Sequence, residues 1–265
     1  MARIFITGSS DGLGLRSAQA LVKRGHDLYL HARNGQRAQD ARAACPEAKD
    51  VFVADLTSTE ETKSLAAQLN QTGPWDTIMH NAGLMNGVSN LKGKEGLPAL
   101  FAVNTLAPYI LSSLIDPPPK RYVFISSGMH HGGDPSLRNI QQAFYSDTKL
   151  HNVLLAFWFA RRLRDRWVTS NVLNPGWVPT KMGGRNAPDS ISAAIDTYVL
   201  LAEGSGAAEG KTGKFWYKSR PRGPNGASRE SSYERSLDDE TRQDKLIEML
   251  ASISGVEPPQ LLGKS

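Results

Sequence analysis

The chain reads as an α/β protein, a parallel, doubly wound sheet of seven strands with helices on both faces. Short β-rich runs alternate with longer segments of helical periodicity from the start, which is the pattern of a parallel sheet. The strand candidates are also nearly continuous in apolar residues, as expected of strands covered on both faces. They fall at 3–7, 27–31, 50–54, 77–80, 121–126, 169–173 and 214–217. Helical patterns fill 12–24, 36–44, 59–72, 97–114, 144–166 and 191–202. A last one at 238–254 sets Leu246, Met249, Leu250 and Ile253 at helical spacing. No repeat and no linker divides the chain, so a single domain over 1–265 is expected, with a variable loop at 205–236.

Composition narrows the class of function. A chain of 265 residues can bury a substantial core. No apolar run approaches the roughly 18 residues of a membrane span, and the N-terminus enters an apolar strand without signal-peptide architecture. Cys45 is the only cysteine, so an internal disulfide is impossible and a cysteine metal site is not expected. A reducing, cytoplasmic setting follows as the expectation. The net charge of +5 comes from dispersed basic residues, and the denser stretches at 161–166 and 211–235 carry no nucleic-acid motif. The balance suits an anionic cofactor instead. Residues 83–96 are glycine-rich, as loops over sites often are, and 218–236 reads as a surface excursion or a substrate lid.

Two segments carry chemistry. Thr7-Gly8-Ser9-Ser10-Asp11-Gly12-Leu13-Gly14 follows the first strand and opens the first helix. Glycines there permit a tight turn and close approach of backbone to a pyrophosphate, which the helix N-terminus favours. An ordinary glycine-rich βα turn is the plainer alternative. Tyr145 and Lys149, four residues apart in a helical segment, share a face. An ammonium beside a phenol is expected to lower the tyrosine pKa and make it a usable acid or base.

The spacing Gly-x3-Gly-x-Gly after Thr7 resembles the short-chain dehydrogenase/reductase family, and further motifs follow in that family's order. They are Asn81-Ala82-Gly83 after the fourth strand, Asn104 in the next helix, Ser126-Ser127 ending the fifth strand, Tyr145-x3-Lys149, and Asn174-Pro175-Gly176-Trp177-Val178-Pro179-Thr180. The resemblance implies a Rossmann-type fold and a nicotinamide cofactor held by Gly8, Ser10, Asp11, Gly12, Leu13, Gly14, Asp55, Leu56, Asn81, Ala82, Gly83, Val178 and Thr180. It implies that Tyr145 donates the proton, Ser127 hydrogen-bonds the substrate carbonyl, Lys149 binds the nicotinamide ribose, and Asn104 interrupts its helix and holds a water that connects Lys149 to solvent. In plainer readings Asp55 and Thr180 are helix caps and Asn104 sits on an exposed helix face. The long interval between Ser127 and Tyr145, with His130-His131-Gly132-Gly133, resembles the retinol-dehydrogenase-like branch and leaves the choice between Ser126 and Ser127 open.

The second strand ends Leu30-His31-Ala32-Arg33, with Ala32 where an acid would bind the ribose hydroxyls of NAD. A guanidinium at Arg33 suits a 2′-phosphate, so NADP(H) is expected, a surface arginine without role being the alternative. The adjacent pair His130 and His131 suits loop residues better than metal ligands, and no metal is expected. Met85, Met129, Trp177 and Met182 would give an apolar lining for a hydrophobic or aromatic carbonyl substrate, unless they only pack their loops. Residues 153–160 are apolar on every side, so a homodimer is expected there, with a monomer shielded by its own tail as the alternative. The activity expected is NADP(H)-dependent interconversion of a carbonyl and an alcohol. Reduction of an activated ring or double bond, or NADP(H) sensing without turnover, are the rivals.

Overall fold

The computed structural model describes residues 1–85, 87–88, 90–217, 229–230 and 235–260, the side chains of 229, 230 and 235 excepted. The seven expected strands are present: β1 (Arg3–Ile6), β2 (Asp27–Ala32), β3 (Asp50–Val53), β4 (Thr77–His80), β5 (Arg121–Ile125), β6 (Thr169–Asn174) and β7 (Phe215–Tyr217). All pair in parallel in the order β3-β2-β1-β4-β5-β6-β7. An eighth strand, β8 (Arg229–Glu230), adds antiparallel to β7. Two residues are too few to show a period, so the sequence gives no sign of it. The rest of the expected excursion or lid, 218–228 and 231–234, lies outside the described residues.

Alternation along each strand feeds two cores. Ile4, Ile6, Leu28, Leu30 and Leu173 meet α1 (Gly12–Lys23), α2 (Gly35–Ala44) and α7 (Ile191–Glu203) on one face. Phe5, Ile78, Tyr122, Phe124 and Val172 meet α3 (Thr59–Thr72), α5 (Ala107–Leu114), α6 (Tyr145–Arg162) and α8 (Glu240–Ser254) on the other. Side chains of Asp11, Asn34, Ser58, Ser190 and Asp239 cap the N-termini of α1, α2, α3, α7 and α8. Because strand order reverses between β1 and β4, the crevice beyond their C-terminal ends is the place where such folds bind ligands.

Two helices differ in detail from the expected pattern. The single helix expected at 97–114 is α4 (Ala99–Phe101), a π-helical turn (Ala102–Leu106) and α5. The one at 144–166 stops at Arg162, and a 3-10 turn (Arg164–Arg166) leads to Trp167 in the left-handed region at φ 59°. Most consequentially, the apolar stretch 153–160 is buried throughout within this one chain. α8 lies across it, with Trp158 Nε1 donating to Asp244 Oδ1 at 2.9 Å, Arg161 paired with Asp244, and Arg162 Nε donating to the Pro259 carbonyl at 2.8 Å. The uncovered surface that motivated a dimer is therefore filled by the chain's own tail.

Three buried histidines make the fold sensitive to acid. Burial pulls His31 and His151 down to about 4 and His80 to about 3 from the usual 6.5. Folded, they stay neutral while the unfolded chain takes up protons below 6.5, so stability falls as pH drops from 6.5 towards 4. Each costs about 3 kcal/mol at the acid end of that window. Melting temperature followed from pH 7 to 4.5 should fall steeply; a flat profile would contradict the burial of these rings.

Candidate active site

The Ser127, Tyr145 and Lys149 side chains converge beyond the end of β5. Ser127 follows β5 in extended backbone, and Tyr145 opens α6, so a turn of that helix carries Lys149 onto the same face. The Ser127 hydroxyl lies close enough to the Tyr145 phenol to lower its pKa. Lys149 Nζ lies 5.4 Å from the Tyr145 ring centroid and donates to the Ile125 carbonyl at 3.0 Å. Ser126 is buried and spends its hydroxyl on the Lys149 carbonyl at 2.7 Å, whereas Ser127 is partly exposed. Of the two hydroxyls, that of Ser127 is the one beside the Tyr145 phenol.

The electrostatics differ from the expectation of an acidified phenol. Burial pushes Tyr145 up to about 12, with the nearby Ser127 hydroxyl offsetting part of this. Burial also brings Lys149 down to about 8. Desolvation disfavours both charges, and it outweighs what the i, i+4 spacing suggested. The result at neutral pH is a protonated phenol beside a readily discharged ammonium.

Asn104 sits in the π turn, fully buried rather than on an exposed face. Its Oδ1 accepts the Leu84 N–H at 2.7 Å while Nδ2 donates to the Leu84 carbonyl at 2.9 Å and to Thr148 Oγ1 at 3.0 Å. The extra residue in the turn is what lets one amide grip the loop after β4 and α6 together. Gly83 belongs to the same wall; a Cβ there would lie 3.5 Å from Lys149 Nζ and 3.6 Å from Asn104 Oδ1.

The glycines of the first turn do different jobs. A Cβ on Gly8 would meet Ala82 Cα at 2.8 Å, and one on Gly14 would meet Asn81 Nδ2 at 2.5 Å, so these two let α1 and the end of β4 pack closely. Gly12 takes φ 58° with nothing within 4 Å of its Cβ position, an open cradle at the start of α1 that a phosphate fits. Asn81 binds the turn through Nδ2 to the Thr7 and Gly8 carbonyls, and Tyr198 holds its Oδ1 at 2.8 Å. Thr7 Oγ1 accepts the N–H groups of both Asn81 and Ala82. Asp11 caps α1 and pairs with Lys181 of the loop after β6, which draws that loop over the turn. Ser10 and Leu13 are partly exposed beside it.

Ala32 closes β2 and Arg33 follows it, exposed. Asp55 is not the cap of α3, which is Ser58; its Oδ1 takes the Thr57 N–H and hydroxyl in a turn of its own. The Leu56 side chain is in the core, leaving only its backbone for a ligand. Val178 is buried, and Thr180 caps no helix but accepts the Gly183 N–H at 3.1 Å. His130 is neither a surface nor a cleft residue: it is buried beneath Ser127, its Nδ1 2.7 Å from the Ser127 carbonyl and its ring 4.8 Å from that of Phe215. Sequence reasoning also missed Phe144, which stands 77% exposed beside Tyr145. It missed Asp147 too, whose two oxygens hold the N–H groups of Asp134 and Phe144 and so close the insertion at both ends. A cavity of about 580 Å³ lies under that insertion but is not lined by Ser127, Tyr145 or Lys149.

The pattern of the short chain dehydrogenase family matches residues 2–190. The chain belongs to this family. An uncharacterized oxidoreductase of Emericella nidulans is 43% identical over 263 residues, 98% of this chain and 99% of that one. Retinol dehydrogenase 14 of Mus musculus is 30% identical over 208 residues, 68% of this chain and 62% of its own length, in keeping with the retinol-dehydrogenase-like relatives expected. A putative short chain dehydrogenase from Shigella flexneri, solved with NADP, superposes with a TM-score of 0.64 at 22% identity, covering 82% of this chain and 96% of that one. The protein is thus an oxidoreductase of the short-chain dehydrogenase fold. Among the described residues no helix is long and apolar enough to cross a membrane.

Proposed function

We propose that the protein reduces a hydrophobic ketone or aldehyde with NADPH, and can run the reverse oxidation, with Tyr145 as proton donor. The observation that carries this is the protonated Tyr145 phenol beside the Ser127 hydroxyl, with Lys149 one turn away. The nicotinamide, when bound, supplies the hydride. The chain's part is to hold the carbonyl oxygen between the Ser127 and Tyr145 hydroxyls and to pass it the phenolic proton. A phenol held near 12 is in the donor state required for reduction. The phenolate left behind is stabilised by Ser127 and by the charge on Lys149. Asn104 keeps the Leu84 loop and α6 in register around that pair. The absence of an acid at Ala32 and the exposed Arg33 support NADP(H) over NAD(H).

Met129, Phe144, Trp177 and Met182 are all exposed and lie within a few residues of Ser127, Tyr145 or Val178. Such an apolar rim supports a bulky, hydrophobic or aromatic carbonyl. Purified protein mixed with NADPH and a panel of such carbonyls should oxidise the cofactor. Tight NADPH binding with no turnover on any of them would favour the sensing alternative. On assembly, α8 covering α6 supports the monomer rather than the homodimer, and light scattering should give one chain's mass; twice that mass would restore the dimer. A cytoplasmic setting remains part of the proposal, supported by the single, free and buried Cys45.

A further inference from the structure

His31, near the end of β2, bonds the glycine-rich turn on one side and the segment after β3 on the other. The Gly8 N–H donates to its Nδ1 at 2.9 Å, which makes that nitrogen the acceptor and places the proton on Nε2. Nε2 then donates to the Ala54 carbonyl at 3.0 Å. The backbone repeats the connection: the His31 N–H donates to Ser9 Oγ at 2.9 Å, Ser9 N–H donates to the His31 carbonyl at 3.1 Å, and Ser9 Oγ donates on to the Ile6 carbonyl at 2.8 Å. The ring is 3% exposed and meets Phe5 edge-on, so it has no freedom to exchange these bonds for water.

We infer that His31 is a positioning residue for the dinucleotide, setting the distance between the turn that would meet its phosphates and the Ala54–Asp55 segment that the resemblance also assigns to the cofactor. This rests on the NADP(H) reading above. Gly8 has φ 62° and packs against Ala82, so the direction of its N–H decides how the rest of the turn up to Gly12 is presented. A flat ring that accepts on one edge and donates from the other spans the gap rigidly. Phenylalanine fills the same space but leaves the Gly8 N–H and Ala54 carbonyl without partners, a state buried backbone groups avoid. Glutamine offers an acceptor and a donor on a flexible stem.

The test is a fluorescence titration of NADPH against wild type, His31→Phe and His31→Gln, with melting curves taken without cofactor. We expect the phenylalanine variant to raise the NADPH Kd about tenfold or more, consistent with one lost buried hydrogen bond. Its kcat at saturating NADPH should stay within about twofold of wild type, because only cofactor placement before chemistry has changed. The glutamine variant should recover part of the affinity. A phenylalanine variant with wild-type Kd overturns the inference whatever its melting temperature, as does a glutamine variant no better than phenylalanine. If His31→Phe does not fold, imidazole ¹⁵N spectra of the wild type decide. An unprotonated Nδ1 whose signal moves on adding NADPH supports the role, and an unmoved signal overturns it. A wild type that binds no NADPH refutes the cofactor reading, and this inference with it.

Discussion

A Tyr145→Phe variant should lose carbonyl reduction by roughly a hundred- to ten-thousand-fold while holding NADPH nearly as tightly as wild type. Phenylalanine keeps the ring and its packing at the start of α6, and removes only the hydroxyl that faces Ser127 and would carry the transferable proton. The loss should therefore fall on kcat and on kcat/KM alike, the mark of an interaction made in the transition state. Single-turnover NADPH oxidation measures the loss of rate, and a fluorescence titration the retained affinity for NADPH. A variant with near-normal turnover would remove Tyr145 from the proposed chemistry, and one that lost cofactor binding would make it a structural residue.

Arg33→Asp should weaken NADPH by about 1–3 kcal/mol, some ten- to a hundredfold in Kd, with NADH affected far less. The guanidinium is exposed at the end of β2, where the ribose of a bound dinucleotide would lie, and Ala32 offers that ribose no carboxylate. Aspartate supplies the carboxylate and removes the cation, so the two cofactors should move in opposite directions or at least by unequal amounts. Parallel titrations with NADPH and NADH read this directly. Equal losses for both would mean that Arg33 does not distinguish the phosphate.

What could be read from the chain and what could not divides along a physical line. The seven parallel strands were legible because strands covered on both faces must be apolar at nearly every position. Tyr145 and Lys149 were legible because helical spacing alone puts them on one face. A break at Asn104 was expected from the resemblance, but not the π turn that makes it, since that answers to Leu84, twenty residues away, through hydrogen bonds that leave no period in the sequence. The cover that α8 provides for α6 was only the second of two readings, because an apolar helix face says only that something lies on it. The Tyr145 pKa went the other way from expectation for a related reason. Spacing reveals the neighbouring charge, whereas desolvation depends on everything packed around the pair. His31 passed as an ordinary strand residue until the turn and β3 were seen to close on its two nitrogens.

The measurement that bears most directly on the proposed chemistry is isotopic transfer. Protein incubated with NADPH deuterated at the transferable nicotinamide position and an aromatic or bulky aliphatic ketone should yield an alcohol with deuterium on the carbinol carbon, one per cofactor oxidised. Cofactor that binds but delivers no deuterium to any ketone or aldehyde offered would contradict it.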